Sequence, residues 1–237
     1  MVNIFSYCIY GANPKYVEGI IKNLFQIRDH YPTFHTWIVV GNDVPPEYIE
    51  KYKSFPNVKL THFPFSGGRL MTYRFFPIDD PSVECMIVRD ADSRITERDR
   101  ECIKRFLESE HTVYTIRDHF YHKCPIMGGQ WGIKRTPLYN EFQFELEYHV
   151  VKDSLTKDCG VDAYDTDQYF TRHYIYPKYG SSMIAFTSVT YEFSQIETIE
   201  EITPPRKDDT DFCGNVFEFK CNDEGVLEEY PFFKYYA

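Results

Sequence analysis

The sequence predicts an α/β fold in a single domain, with a mostly parallel central sheet flanked by helices. Its 237 residues, 43% of them hydrophobic, suit one domain with a sizeable core. Short runs rich in β formers alternate with segments whose apolar residues recur at helical spacing. Strands that alternate with helices usually form parallel sheets covered on both faces.

The first two strands and the helix between them carry clear local signals. Residues 4–10 are rich in β formers. Asn13 can cap a helix and Pro14 suits its first turn, after which apolar residues follow helical spacing until Pro32. Residues 37–40 are too apolar to expose either face, which predicts a central strand.

The remaining elements are predicted by the same criteria. We expect a short helix over residues 45–52, strands over 58–64, 85–88 and 111–116, and helices after Thr96, over 137–150 and over 165–174. Thr96 and Asp99 have the spacing of a capping box, with Asp in place of Glu. The pattern is regular to about residue 120 and less regular after residue 132.

Charge and cysteine content exclude several classes of protein. The chain has 26 Lys and Arg against 36 Asp and Glu, a net charge of −10, so we expect no nucleic-acid partner. The apolar runs are too short for a membrane span, and the N-terminus lacks the layout of a secretory signal. Seven cysteines without a C-x-x-C pair argue against a disulfide framework and a thiolate zinc site. We therefore expect a cytoplasmic protein.

Two aspartates, Asp90 and Asp92, directly follow the apolar strand over 85–88. Ligands of open α/β sheets bind beyond the carboxyl ends of strands. Residues two apart in an extended segment point the same way, and two aligned carboxylates repel unless a cation joins them. A site with few carboxylates suits Mg²⁺ or Mn²⁺ with phosphate and water as further ligands. The pair therefore predicts a site for a metal diphosphate, and the alternative is a solvated turn before a helix.

Two other carboxylate motifs were compared with this segment. An EF-hand loop starting at Asp90 would need glycine where Ile95 stands, so that interpretation is rejected. A phosphatase of the haloacid-dehalogenase type would use Asp90 as nucleophile. Ser93 and Arg94 follow here instead of that motif's usual Thr, Val or Gly-Thr. The phosphatase stays as an alternative.

The motif and its surroundings resemble the GT-A glycosyltransferases, in a subgroup found in bacteria and in large DNA viruses of algae. The similar segments are residues 71–75, 77–81, 88–94, 117–119, 125–132 and 167–170, which the chain has in the family's order. The resemblance covers roughly residues 4–177, and the last 60 residues match loosely through 212–217. It implies a GT-A, Rossmann-like fold with a nucleotide-binding half of about residues 1–120 and an acceptor half of about 121–237.

The resemblance also implies the donor site. Asp92 would ligate the metal, Mn²⁺ or Mg²⁺, and Asp90 would contact the ribose or the metal. Other contacts to a UDP-sugar are expected from Tyr10, Gly11, Ala12, Arg69, Arg74, Ala91, Asp118 and His119. Tyr10 can stack on a base or belong to the core, and an arginine fork suits phosphate. Arg74 is favoured over Arg69 because it lies in the family segment, although either can instead pair with Asp79 or Asp80.

The acceptor side is expected at Gly128, Gly129 and Trp131, where small residues and an aromatic face suit a sugar. The alternative is a tight turn with a core tryptophan. An inverting transfer needs a carboxylate base. Asp167 is favoured for that role and Asp165 is the second candidate, unless it is only an acid at a helix N-terminus. His119 and His122 are either further metal ligands or structural histidines.

These observations together predict a metal-dependent glycosyltransferase of the hexosyltransferase type. It would move a sugar from a UDP-sugar to a hydroxyl of a glycan or glycoconjugate acceptor. The alternatives are the phosphatase and a non-catalytic carbohydrate-binding module.

Overall fold

A computed structural model describes residues 1–159, 165–189 and 196–232 of the chain. Ten strands are found in these residues: β1 Val2–Ile9, β2 His35–Val40, β3 Val58–His62, β4 Val83–Arg89, β5 Val113–Arg117, β6 Gln130–Lys134, β7 Met183–Thr187, β8 Thr198–Glu201, β9 Phe217–Cys221 and β10 Leu227–Pro231. The helices are α1 Pro14–His30, α2 Pro46–Lys53, α3 Leu70–Tyr73, α4 Glu97–Glu108, α5 Phe144–Cys159, α6 Thr166–Phe170 and α7 Tyr176–Tyr179. A π turn over Thr171–Ile175 joins α6 to α7.

Eight of these strands form one sheet in the order β3-β2-β1-β4-β6-β5-β7-β8. All neighbouring pairs are parallel except the two that involve β6, which runs antiparallel to β4 and β5. The predicted α/β fold with a mostly parallel sheet is therefore confirmed. Strands β9 and β10 form a separate antiparallel hairpin.

Both faces of the sheet are covered, as the apolar strands predict. Phe5 and Ile87 point to the face covered by α1 and α4, whereas Ile4 and Met86 point to the face covered by α5 and the α6 segment. Strand residues therefore alternate between two apolar clusters, and each cluster packs one helical layer. Among the described residues, no helix combines the length and apolar character that a membrane crossing requires.

Local sequence signals set the starts of two helices as predicted. The Asn13 side chain accepts a hydrogen bond from the Lys15 amide at 3.0 Å, and Pro14 occupies the first turn of α1. Thr96 and Asp99 form both hydrogen bonds of a capping box at the start of α4. These ends lie beside the carboxyl ends of β1 and β4, so they help to place the candidate site.

The second half of the chain departs from the sequence prediction. The helix expected over 137–150 begins at Phe144, because the distant Asp79 carboxylate accepts the amides of Phe144 and Glu145. The helix expected over 165–174 starts at Thr166 and continues through the π turn to Tyr179. Strands β6 to β10 were not predicted, and β6 lies between β4 and β5 in the sheet.

Candidate functional site

The two aspartates of the predicted motif lie at the carboxyl end of β4, at the strand ends where ligands of open α/β sheets bind. The Asp90 side chain is 44% exposed and accepts a hydrogen bond from Arg74 Nη1 at 2.5 Å. The Asp92 side chain is 13% exposed and pairs with Lys15 Nζ at 3.0 Å. Each carboxylate therefore has its own cationic partner.

Arg74 joins two acidic residues that are far apart in the sequence. Its Nη2 donates to Asp167 Oδ2 at 2.7 Å while Nη1 holds Asp90, so one buried guanidinium bridges both carboxylates. Burial raises the pKa of Asp167, and the charge of Asp90 raises it further, although Arg74 opposes the shift. The cluster places a carboxylate with raised proton affinity beside the predicted metal ligands.

Two glycines make this cluster possible. A Cβ atom at Gly129 would overlap the carboxyl group of Asp90. A Cβ at Gly128 would lie 2.6 Å from Asp167 Oδ2. The segment before β6 therefore packs its backbone directly against both carboxylates, which is the close approach that glycine allows.

Lys15 was not identified by the sequence analysis. It is the second residue of α1, and the signal that could have found it is the Asn13 cap, which puts the helix start beside the end of β1. Burial raises the pKa of Asp92, as does the charge of Asp90, and Lys15 lowers it in part. The two carboxylates thus repel each other even with Lys15 and Arg74 in place.

The carboxylate oxygens of Asp90 and Asp92 are suitable ligands for a divalent cation. The described residues contain no group of three or more His, Cys, Asp and Glu side chains arranged to hold a metal. The negative charge of Asp90 raises the pKa of Asp92, so a bound cation would stabilise the two ionised carboxylates. A site with so few protein ligands leaves coordination positions for phosphate and water, as Mg²⁺ and Mn²⁺ sites commonly do.

The loop after β1 lies at the same edge of the sheet. Gly11 has a φ of +70°, and its amide donates to Asp43 Oδ1 at 2.8 Å. Ser66 Oγ donates to the same Asp43 oxygen at 2.5 Å. Tyr10 is half-buried, and burial raises its pKa to about 12, while Ala12 is exposed. Asp43, which follows β2, is a second residue that the sequence analysis missed.

The contacts of Arg69 and Asp165 are separate from those that join Arg74 to Asp90 and Asp167. The Arg69 guanidinium lies over the Phe65 ring at 3.7 Å. Asp165 is exposed, has a φ of +77° and accepts a hydrogen bond from Gln168 Nε2 at 2.6 Å. The alternative pairing of Arg74 with Asp79 or Asp80 is not found, and Arg74 contacts Asp90 and Asp167 instead.

The structure places two predicted contact residues in the interior. Trp131 is fully buried in β6, with its ring centroid 5.0 Å from that of Phe75, so its faces are covered by the core. Asp118 is fully buried and accepts hydrogen bonds from Arg98, Arg206, Ser188 Oγ and the Cys213 amide. Both side chains stabilise the fold here, and neither presents a free surface to a sugar.

The histidines after β5 contact Phe212 and the backbone of Asp118. His119 stacks on Phe212 with centroids 4.6 Å apart. His122 Nδ1 accepts the Asp118 amide at 3.1 Å. Burial lowers the pKa of His122 to about 4, the nearby His119 adds to this shift, and the charges of Asp118 and Asp90 oppose it. His122 is therefore a neutral imidazole within electrostatic reach of Asp90.

Comparisons with known proteins identify the fold by structure alone. Neither the models of known protein families nor the curated proteins give a match to the sequence. The structure is similar to that of the mannosyltransferase PcManGT from Pyrobaculum calidifontis, with a TM-score of 0.50 and 14% identity over 87% of this chain and 58% of that one.

Two further structures have TM-scores below 0.5. A glycosyltransferase involved in the glycosylation of the major capsid of PBCV-1 gives 0.49, with 12% identity over 79% of this chain and 82% of that one. The structure of residues 1–349 of S. aureus TarS has a TM-score of 0.46, with 16% identity over 72% of this chain. The chain spans about half (54%) of that structure. The similarity to PcManGT, with its TM-score of 0.50, confirms the expected GT-A-type α/β fold.

Proposed function

We propose that this chain is a glycosyltransferase that binds a nucleotide-diphosphate sugar at the carboxyl ends of β1 and β4. A divalent cation, Mn²⁺ or Mg²⁺, would be held by Asp90 and Asp92. The sugar would pass to a hydroxyl of a glycan or glycoconjugate acceptor. The observation that carries the proposal is the cluster in which Arg74 bridges Asp90, at 2.5 Å, and Asp167, at 2.7 Å.

The donor diphosphate needs positive charge around it. The bound cation would neutralise the diphosphate and stabilise the charge of the departing nucleotide. Lys15 and Arg74 are the cations in contact with the acidic pair. Lys15 is suited to bind phosphate oxygens, and Arg74, whose planar fork holds Asp90 and Asp167, would orient these carboxylates toward the donor. Arg69, whose guanidinium lies over the Phe65 ring, is proposed as a contact to the outer part of the donor.

A nucleobase would be bound by the loop after β1. Tyr10 offers a ring for stacking, and Gly11 and Ala12 allow close approach of the base. The Asp43 carboxylate beside Gly11 can accept hydrogen bonds from base N–H groups, which both uracil and guanine carry. We keep UDP as the proposed nucleotide. PcManGT, which has a similar fold, is described in complex with GDP-Man and Mn²⁺, so GDP is the first competitor in the test.

The acceptor hydroxyl must lose a proton during transfer. Asp167 is proposed as the base, because burial and the charge of Asp90 raise its pKa and thereby favour proton uptake. Asp165 is exposed and remains the second candidate. Gly128 and Gly129 pack against the Asp167 and Asp90 carboxylates and are proposed to border the acceptor side, and Ala91 would line the donor side. Asp118 and Trp131 are assigned to the fold, and His119, which stacks on Phe212, is proposed as a contact to the donor sugar.

The proposal is tested by a thermal-shift screen of nucleotide sugars with and without Mn²⁺. We expect one nucleotide family to raise the melting temperature only when the cation is present, and an Asp92→Asn variant to lose that shift. A phospho-aspartate trapped at Asp90 would instead establish the phosphatase. Sugar binding that Asp92→Asn leaves intact, without a nucleotide effect, would favour a carbohydrate-binding module.

A further inference from the structure

We propose that residues 212–231, here named the C-terminal strap, position the turn that carries Asp90 and Asp92. Within the strap, Glu229 is a positioning residue that acts through Arg94. The inference rests on the proposed function, because it concerns the turn that would hold the cation. The sequence analysis assigned this segment no role.

The backbone of the turn is held by hydrogen bonds at every carbonyl oxygen from Arg89 to Arg94. Arg74 donates to the Arg89 oxygen at 3.2 Å, and Ser93 Oγ donates to that of Asp90 at 3.3 Å. The Arg94 side chain donates to the oxygens of Ala91 at 3.1 Å and of Ser93 at 2.8 Å. Arg89 donates in turn to the Arg94 oxygen at 2.9 Å.

The strap supplies the remaining hydrogen bond. The Phe217 amide donates to the Asp92 oxygen at 2.7 Å, and Val216 forms an antiparallel bridge with Ser93. The strap therefore pairs with the turn as a short strand. With its backbone fixed, the turn orients both carboxylates before any ligand arrives, which is the preorganisation that a binding site needs.

Glu229 controls the side chain that makes two of these contacts. Glu229 Oε1 accepts hydrogen bonds from Arg94 Nε at 2.6 Å and lies 2.5 Å from Arg94 Nη2. The Arg94 guanidinium also lies over the Phe217 ring, 5.2 Å from its centroid. Arg94 is 7% and Glu229 22% exposed, so the pair is largely withdrawn from solvent. The charge-assisted hydrogen bond and ion pair on one edge of the guanidinium thus hold its other edge, Nη1, against the turn.

The hairpin makes Glu229 a rigid support and offers a matched control. Glu229 pairs with Phe219 in the β9–β10 register, and the tight turn at the tip uses Gly225 with a φ of +77°. Successive strand residues point to opposite faces. The neighbouring Glu228 is exposed and accepts a hydrogen bond from Asn222 Nδ2 at 2.8 Å, within the hairpin itself.

The test compares Glu229→Gln with Glu228→Gln in the full chain by titrating Mn²⁺ and following free Mn²⁺ by electron paramagnetic resonance. For Glu229→Gln we expect the Kd for Mn²⁺ to rise about tenfold, as found when residues that orient metal ligands are changed. Glu228→Gln should stay within about twofold of wild type, because it alters only an exposed carboxylate. Far-UV circular dichroism, recorded at the temperature of the titration, verifies that each variant is folded as the wild type is.

A Glu229→Asp variant, which keeps the charge on a shorter stem, should recover part of the affinity. Equal Kd values for Glu229→Gln and Glu228→Gln would overturn the positioning role while leaving the proposed function standing. A wild-type chain that binds no Mn²⁺ would overturn both.

Discussion

The close packing of Gly129 against Asp90 gives a sharp test of the site geometry. In Gly129→Ala, the new Cβ would overlap the Asp90 carboxyl group. A carbon and a carboxylate oxygen are comfortable only at about 3.5 Å, so Asp90 must move by more than about 1 Å. That movement would stretch its 2.5 Å hydrogen bond with Arg74 beyond the usual range.

The size of the effect follows from this displacement. Binding groups tolerate errors of about 0.5 Å, so a shift of about 1 Å removes Asp90 from productive geometry. We expect Mn²⁺ affinity to fall at least about tenfold and turnover of the donor to fall about 100-fold. Overpacking of this kind costs about 1–3 kcal/mol of folding free energy, which leaves the chain able to fold.

The assay measures Mn²⁺ binding by electron paramagnetic resonance in Gly129→Ala and in Gly128→Ala. The second variant is the control, because its Cβ would lie 2.6 Å from Asp167 Oδ2 and would not displace Asp90 directly. Gly128→Ala should keep most of the Mn²⁺ affinity and lose turnover. Wild-type Mn²⁺ affinity in folded Gly129→Ala would refute the reasoning.

Three further variants test the charges around the site. Lys15→Met removes the ammonium group that lies 3.0 Å from Asp92 and competes with Mn²⁺ for this carboxylate. The Kd for Mn²⁺ without nucleotide should therefore fall about threefold. A Kd above that of wild type would contradict this competition. Arg74→Lys keeps the charge but loses the fork that joins two carboxylates, and urea unfolding should show a loss of about 1–3 kcal/mol. The pKa of His122 is about 4 in the folded protein, whereas the ordinary value is 6.5. Between these pH values the imidazole is neutral in the folded protein and protonated in the unfolded chain. This difference contributes about 3 kcal/mol to the free energy of unfolding above pH 6.5, and the contribution is lost as the pH falls towards 4. In His122→Gln the free energy of unfolding should therefore vary less with pH over this range.

Local patterns predicted the first half of the fold because each element there carries its own signals. The Asn13 cap and the Thr96–Asp99 box are readable within a few residues, and both occur as expected. Strand β6 was missed because its residues follow two glycines and are defined by pairing with β4 and β5. Such pairing depends on distant segments and leaves no local period.

The sequence predicted only part of the candidate site, because only some of its contacts join residues that are close in the sequence. Asp90 and Asp92 are neighbours in sequence, whereas the contact between Arg74 and Asp167 joins residues 93 positions apart. Asp118 lies in a family-like segment, yet its carboxylate binds Arg98 and Arg206, which no local pattern indicates. Lys15 could have been found by asking which helix starts beside the end of β1.

The central claim is that a cation held by Asp90 and Asp92 carries the donor diphosphate. Phosphorus-31 electron–nuclear double resonance on the Mn²⁺ complex with a nucleotide sugar tests it most directly, because the coupling reports phosphate oxygens bound to the ion. We predict a strong phosphorus coupling in wild type that disappears in Asp92→Asn. Bound Mn²⁺ without phosphorus coupling, or a coupling that Asp92→Asn leaves unchanged, would contradict the account.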